Sequence, residues 1–328
     1  MIRPRDDEVV YVESAGRLHF GVLDLRGALG RWFGGIGTPA PAPSVLVSAQ
    51  PADTLTVDGE DAARAEAFAR QFLERVGIRG GAYVRVHRAL PSHVGLGSGT
   101  QLALAVARAL AEVRGLAIET CDLARAVGRG GRSAIGTWTF DRGGLIVEGG
   151  RRRDRQSAED IAPLLARLPL PTTWRCIVAI PNAAPGVSGD AEASLLTALA
   201  PPPQCEIEHV AHLVLLALLP ALAEGDLPAF GAALTGIQAM NGRWFAPAQG
   251  GIFASGPSGE LVQHLSEFGA VGVGQSSWGP AVYGIVDGAD AGARLAERVR
   301  DVLGGRGQVF EGPFRNSGAS VWRGPTTR

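Results

Sequence analysis

Residues 91–100 read Pro91-Ser92-His93-Val94-Gly95-Leu96-Gly97-Ser98-Gly99-Thr100. The stretch before them, 82–88 (AYVRVHR), alternates like a strand, and the stretch after, 100–114 (TQLALAVARALAEVR), is a strongly apolar helix. Gly95, Gly97 and Gly99 alternate, so the backbone there can turn with positive φ and come close to a ligand. Ser98 and Thr100 fall at the helix start, where free N–H groups and the helix dipole favour an anion. This is the construction of a phosphate cradle. Glycine spacing alone is equally compatible with a Gly-rich turn closed by a Ser/Thr cap.

Working outward, composition narrows the function. The chain has 328 residues, 46% of them hydrophobic, enough for two domains with ordinary cores. A formal net charge of −1 makes no electrostatic case for nucleic acid or a membrane surface. All 31 basic residues are arginine. No Schiff-base, pyridoxal-phosphate or P-loop lysine is available, so phosphates and carboxylates must be held by arginine, backbone or metal. Cys121, Cys176 and Cys205 are far apart and fit neither a zinc site nor a disulfide framework. The charged N-terminus (MIRPRDDEVV) has no signal-peptide core, and the longest apolar run, 213–223, contains a proline and is short for a bilayer. A soluble cytoplasmic protein is expected.

Residues 9–25 read as two short strands around Ser14-Ala15-Gly16, with Leu18, Phe20 and Val22 on one face and Arg17, His19 and Gly21 on the other. Arg17 and His19 thus face either solvent or a ligand. Residues 31–37 (RWFGGIG) read as a glycine loop beside two aromatics, leading to a strand at 44–49. Segment 128–149 sets Arg129, Arg132 and Arg142 among seven glycines, with Asp141 and Glu148 nearby. Forked arginine donors on such a turn suit phosphate or carboxylate, although charge alone also fits a solvated turn. Residues 151–155 (RRRDR) read as a solvated charge run. A Pro-rich stretch at 165–173 marks a border between units 1–170 and 171–328. Helices follow at 188–200, 206–224 and 226–243, the last capped by Asn241-Gly242, and a Gly-rich turn joins two β-like runs over 271–286.

The loop at 91–100 is neither a Walker A loop nor a dinucleotide turn. It resembles the phosphate loop of the GHMP superfamily, the galactokinase, homoserine kinase and mevalonate kinase group. Two further strings, at 14–24 and 271–284, match that superfamily in order. The resemblance implies an α+β fold: an N-terminal α+β domain with a left-handed crossover and a ferredoxin-like C-terminal half. Finer wording is similar to one branch, the β-ribofuranosylaminobenzene 5′-phosphate synthases of methanopterin biosynthesis. The strings are Gly16 to Leu25 (GRLHFGVLDL), Gly34 to Gly37, Gly95 to Gln101, and Gly130 to Thr137 (GGRSAIGT).

Departures from the kinases matter as much. Arg17 stands where they usually carry lysine, Gly99 where a magnesium-associated serine stands, and Gly136 where an aspartate helps deprotonate the attacking hydroxyl. The branch resemblance implies a different reaction: phosphoribosyl pyrophosphate and 4-aminobenzoate or 4-hydroxybenzoate give a ribosyl-arene C-glycoside, CO₂ and pyrophosphate. Losing CO₂ in place of a proton removes the need for a base at the attacking carbon. Under this reading Gly95, Leu96, Gly97, Ser98, Gly99 and Thr100 cradle phosphate, Arg17 and His19 face the leaving group or the 5′-phosphate, and Arg129 and Arg132 bind a phosphate or the benzoate carboxylate. Asp24 and Asp141 are the candidates for Mg²⁺ ligation or cation stabilisation. Mg²⁺ and a homodimer are implied by the family; ATP is not required. The alternatives are an ATP-dependent GHMP kinase with altered residues and a non-catalytic ligand-binding relative.

Overall fold

A computed structural model describes residues 8–154, 160–187 and 189–325; the charged start at 1–7 and Arg155 lie outside the described residues. The first sheet has eight strands. β1 (Glu8–Asp24) and β2 (Arg31–Ala52) form its long antiparallel spine. The break expected in β1 near Ala15-Gly16 is only a bulge, and a second bulge follows between His19 and Gly21. That second bulge rotates the end of the strand. Leu18 and Phe20 are fully buried, whereas Val22 lines a cavity.

The glycine segment of residues 31–37 is strand, not loop. A Cβ on Gly37 would stand 2.4 Å from the carbonyl oxygen of Leu18 and 2.5 Å from the Ile135 side chain. Glycine here lets two neighbours close on the strand.

β3 (Thr56–Gly59) pairs in parallel with β4 (Gly81–Arg88), and α1 (Ala62–Val76) crosses between them. α2 (Ser98–Val113) is apolar nearly all round and is correspondingly buried, against β1, β2, α1 and α3 (Thr120–Ala126). Segment 128–149 holds a helix the turn-like composition concealed, α4 (Ile135–Arg142), followed by β5 (Leu145–Glu148). The expected solvated run at 151–155 begins as a short strand, β6 (Arg151–Arg152), on the end of β2. Its Arg151 lies over the rings of Trp32 and Phe33 at 5.6 and 5.3 Å. β7 (Leu164–Leu168) pairs with β5.

After residue 170 the chain builds a four-stranded antiparallel sheet. Its first strand is β8 (Trp174–Pro181). Then come α5 (Gly189–Ala198), α6 (Gln204–Leu213), a π-helical turn (Val214–Leu218), α7 (Leu219–Glu224) and α8 (Leu227–Gln249). The run Gln204–Glu224 is long and apolar enough to cross a membrane by length and composition. Here its inner face, including Val210, Val214 and Leu218, is packed in the core. α9 (Ser258–Glu267), β9 (Val271–Gln275), β10 (Val282–Asp287), α10 (Ala289–Leu303) and β11 (Gly307–Pro313) complete this half in the order β11-β8-β10-β9. β12 (Ser320–Pro325) then returns to the first sheet beside β1. One hydrophobic cluster joins Leu18, Phe20 and Leu96 to Trp174, Phe230 and Tyr283, so the two halves share a core.

α8 passes the stop expected at 243. The Asn241 amide does not cap it. It accepts from Val22 N at 2.5 Å and donates to Val22 O at 3.1 Å, on β1 beyond the stretch that β12 pairs. This continuation brings Gln238, Asn241, Phe245 and Gln249, spaced by three and four residues, onto one side of the helix facing the cavity.

Candidate active site

The loop between β4 and α2 takes the shape its glycines permit. Gly95 (φ +88) and Gly97 (φ +69) are both left-handed, and Gly97 immediately precedes the helix. The N–H groups of Thr100 and Gln101 close onto Gly97 O at 3.0 and 3.1 Å. Those of Ser98 and Gly99 belong to the first turn, which has no intrahelical acceptor and carries the positive end of the dipole. Leu96 plays another part than the one expected. Its side chain is an anchor, 1% exposed in the shared core, and its carbonyl accepts from Arg17 N at 2.8 Å.

Arg17 lies beneath the loop. Its Nη1 donates to Gly95 O at 2.5 Å, and a Cβ on Gly97 would come within 2.9 Å of its Cγ. Burial pulls its pKa down to about 10, with Glu192 acting in the opposite sense, so it stays charged at neutral pH. His19, two residues on, donates its backbone N–H to Ser276 Oγ at 2.9 Å, and Ser276 Oγ donates to Gly95 O at 2.7 Å. The β9–β10 turn thereby ties β1 to the loop. The His19 ring is held down to about pKa 3 by burial and then by Arg17, and is a neutral imidazole. Its Nε2 sits 3.4 Å from Ser133 Oγ.

These groups border a cavity of about 110 Å³. Its charged and ionisable lining is Arg17, His19, Arg132 and Glu192, its neutral polar lining includes Ser133, Gln238, Asn241 and Gln275, and its apolar lining includes Phe33, Phe245, Trp278, Leu196 and Ile252. Phe245 and Trp278 meet edge to face with centroids 5.0 Å apart. Glu192, on α5, pairs with Arg132 Nη1 and accepts from Trp278 Nε1 at 3.0 Å. The guanidinium expected to receive substrate is therefore already paired with a carboxylate. Arg129 is placed differently, alongside the first turn of α2. Both of its terminal nitrogens lie 3.5 Å from where a Gly99 Cβ would be. Its face stacks on Phe68 at 4.8 Å, and its Nε is buried without a hydrogen-bond partner.

The two aspartates do not join the others. Asp24 Oδ1 accepts from Arg26 N and Gly27 N at 2.6 and 2.8 Å, closing the turn between β1 and β2. Asp141, in the last turn of α4, accepts from Thr120 Oγ1 at 2.7 Å and pairs with Arg142 at 2.6 Å, apart from the cavity lining. Among the described residues no three His, Cys, Asp or Glu side chains gather to hold a metal ion. The residues present do not fit a resident magnesium cage. Gly136, in the place of the kinase aspartate, turns its missing Cβ toward Thr100 Cγ2 at 3.0 Å, and its carbonyl accepts from Gln101 Nε2 at 2.9 Å.

Glu192, Gln238, Phe245 and Trp278 escaped the sequence reading as site residues. Trp278 lies in the Gly-rich string at 271–286, whose composition does not single out its ring. The α8 residues share a helical spacing that runs on past Asn241-Gly242, which reads as a helix stop. Glu148, fully buried beside Ser133, had only its charge to distinguish it.

Residues 63–140 match the family model of the GHMP kinase N-terminal domain, and residues 218–304 that of the GHMP kinase C-terminal domain. The fold is similar to homoserine kinase from Cytophaga hutchinsonii, with a TM-score of 0.67 at 15% identity, covering 98% of this chain and 99% of that one. It is similar to mevalonate diphosphate decarboxylase from Staphylococcus aureus, with a TM-score of 0.65 at 15% identity, covering 96% and 98% of the two chains. In sequence the chain is similar to β-ribofuranosylphenol 5′-phosphate synthase of Methanothermobacter thermautotrophicus, 33% identical over 94% of this chain and 97% of the relative. To the protein of that name from Archaeoglobus fulgidus it is 35% identical, over 94% of this chain and 98% of the relative. With end-to-end similarity of that degree on a GHMP fold, the chain belongs to the β-ribofuranosylphenol 5′-phosphate synthase family and is an enzyme of that type.

Proposed function

We propose that the protein transfers the ribosyl 5-phosphate group of phosphoribosyl pyrophosphate to the carboxyl-bearing ring carbon of 4-hydroxybenzoate, with loss of CO₂ and pyrophosphate. The observation that carries the reading is one cavity that combines Arg17, laced to a phosphate loop, with an aromatic lining at Phe33, Phe245 and Trp278. Gly136 leaves no carboxylate where a kinase would need one. The phenol is chosen over the aniline because the relatives are named for a ribofuranosylphenol.

The bonds balance without an external base. The C1–O bond to pyrophosphate breaks with its electron pair on oxygen, and the ring carbon bonds to C1. The ring–carboxylate bond then gives its pair back to the ring, restoring aromaticity as CO₂ leaves. What the protein must supply is stabilisation of the departing anion. First-turn N–H groups of Ser98 and Gly99, the Thr100 hydroxyl and Arg129 are set for that, with the turns at Gly95 and Gly97 allowing close approach. Arg17 holds the loop and adds buried positive charge. Arg132 takes the benzoate carboxylate by exchanging it for Glu192, and the aromatic lining holds the ring and keeps water from the cationic C1. Magnesium would be supplied with pyrophosphate as its counter-ion, since no side-chain cluster among the described residues would hold it. A soluble, cytoplasmic homodimer is the proposed working form.

Carboxyl-labelled 4-hydroxybenzoate should release labelled CO₂ only with phosphoribosyl pyrophosphate and a divalent metal, with ATP making no difference. 4-Aminobenzoate should be the poorer acceptor. ADP formation with an acceptor alcohol, and no CO₂ from either benzoate, would overturn the proposal.

A further inference from the structure

Glu148 is a carboxylate with no exposed surface, behind the cavity wall. Its Oε2 accepts from Gly150 N at 2.7 Å, while its Oε1 is buried with no hydrogen-bond partner. Oε1 and His19 Nε2 each lie 3.3 Å from the point where Gly35 would carry a Cβ, so at most twice that distance separates them. A side chain at Gly35 would fill this gap. Ser133 stands beside both groups. Its Oγ is 3.4 Å from His19 Nε2 and accepts from Ile135 N at 3.3 Å, and its hydroxyl faces the carboxylate without closing a bond to Oε1.

We infer that Glu148 is a positioning residue that sets, through Ser133, which nitrogen of His19 carries the proton toward the substrate. The inference rests on the proposed function only for what His19 faces. A serine hydroxyl has one proton to donate and two acceptor positions. When Glu148 is ionised, Ser133 donates to it, and His19 can meet Ser133 only as an Nε2–H donor. Nδ1 is then a bare acceptor. When Glu148 is protonated it donates to Ser133, Ser133 donates to His19 Nε2, and the ring proton moves to Nδ1. Ile135 N donates to Ser133 in both arrangements, so both satisfy the serine. His19 stays neutral, so it can offer a donor from Nδ1 only in the second. A substrate bearing phosphates and a carboxylate wants that donor.

The groups facing Glu148 leave it free to change charge near neutral pH. Arg31 of β2, the Ala134 N–H, the Gly150 N–H and Ser133 favour the carboxylate, but burial outweighs them and pushes its pKa up to about 7. His19 of β1, across the Gly35 gap, is uncharged. β7 contributes only Leu164 in register.

Ring ¹⁵N NMR of His19, picked out among six histidines by its loss in H19Q, tests this directly. In the wild type the ring should pass from the Nδ1–H to the Nε2–H tautomer with a midpoint near pH 7. In E148Q it should stay Nδ1–H from about pH 6 to pH 9. The Gly150 N–H holds the amide oxygen at the Oε2 position, which leaves the NH₂ at Oε1 facing Ser133. S133A, which breaks the chain, should make the tautomer indifferent to pH while Glu148 is still present. In turnover, kcat/KM should fall about tenfold per pH unit above about 7 in the wild type, and that limb should vanish in E148Q. A tautomer that does not change with pH in the wild type, or changes equally in E148Q, overturns the inference. So does an alkaline limb that persists in E148Q, since it would belong to the substrate's own phosphates. No turnover at any pH would count against the proposed reaction, and the ring-nitrogen signals would still decide the relay.

Discussion

Replacing Gly95 by alanine probes the loop at its tightest point. Gly95 is left-handed at φ +88, and a Cβ there would stand 2.2 Å from Ser276 O and 3.3 Å from Gly279 O. Both neighbours are backbone in a turn and cannot swing aside like a flexible side chain. The loop must therefore move, and with it the Gly95 carbonyl, which accepts from Arg17 at 2.5 Å and from Ser276 Oγ at 2.7 Å. Left-handed backbone costs a non-glycine residue about 1–2 kcal/mol. Weakening two hydrogen bonds, one of them from a cation, adds about 1–3 kcal/mol each. The low end of the sum, about 3 kcal/mol, corresponds to a factor of about 150. If the loop cradles pyrophosphate, kcat/KM for phosphoribosyl pyrophosphate in G95A should fall on the order of a hundredfold, with a lowered Tm and an unchanged far-ultraviolet circular dichroism spectrum. Gly99 is the contrast. It is not left-handed, and its missing Cβ would make only ordinary contact, 3.5 Å from the Arg129 terminal nitrogens. G99A should cost far less than G95A. The reasoning is refuted if G95A stays within about threefold of wild type, a difference of under 1 kcal/mol in transition-state binding.

Two further predictions concern the cavity wall. Arg17→Lys should lower kcat/KM by at least about tenfold, because one ammonium cannot serve both Gly95 O and a substrate anion as a forked guanidinium can; wild-type kinetics would reduce Arg17 to a point charge. Phe245→Ala should raise KM for the benzoate by about fivefold or more while leaving the KM for phosphoribosyl pyrophosphate nearly unchanged, since it removes an aromatic contact of about 0.5–1.5 kcal/mol together with apolar wall. Steady-state kinetics with each substrate varied in turn separates the two effects.

The phosphate loop was legible because its chemistry is local. A strand, three alternating glycines, a serine and an apolar helix are contiguous, and each residue's role follows from its own backbone. The missing kinase aspartate at Gly136 was readable for the same reason. The cavity's other wall was not, because it depends on where distant segments meet. Asp24 and Asp141 have the right chemistry and the wrong neighbours: a turn N–H pair claims one, and Thr120 with Arg142 claims the other. A sequence cannot rank those competitors, since local hydrogen bonds to a carboxylate leave no pattern in composition.

The sequence by itself determined the superfamily fold, the anion cradle and the absence of lysine chemistry, all properties carried by residue type and short spacing. Tertiary structure decided the rest. β12 pairs with β1 only as far as Glu13, and at Val22 Asn241 bonds the strand backbone, which ties α8 alongside β1. Gly35 and Gly37 let Ile135 and β1 close on β2. The same packing seals Glu148 away from water, raising its pKa and leaving it beside Ser133 and His19. Burial and proximity across more than a hundred residues of chain are properties of the packed whole, and no local pattern encodes them.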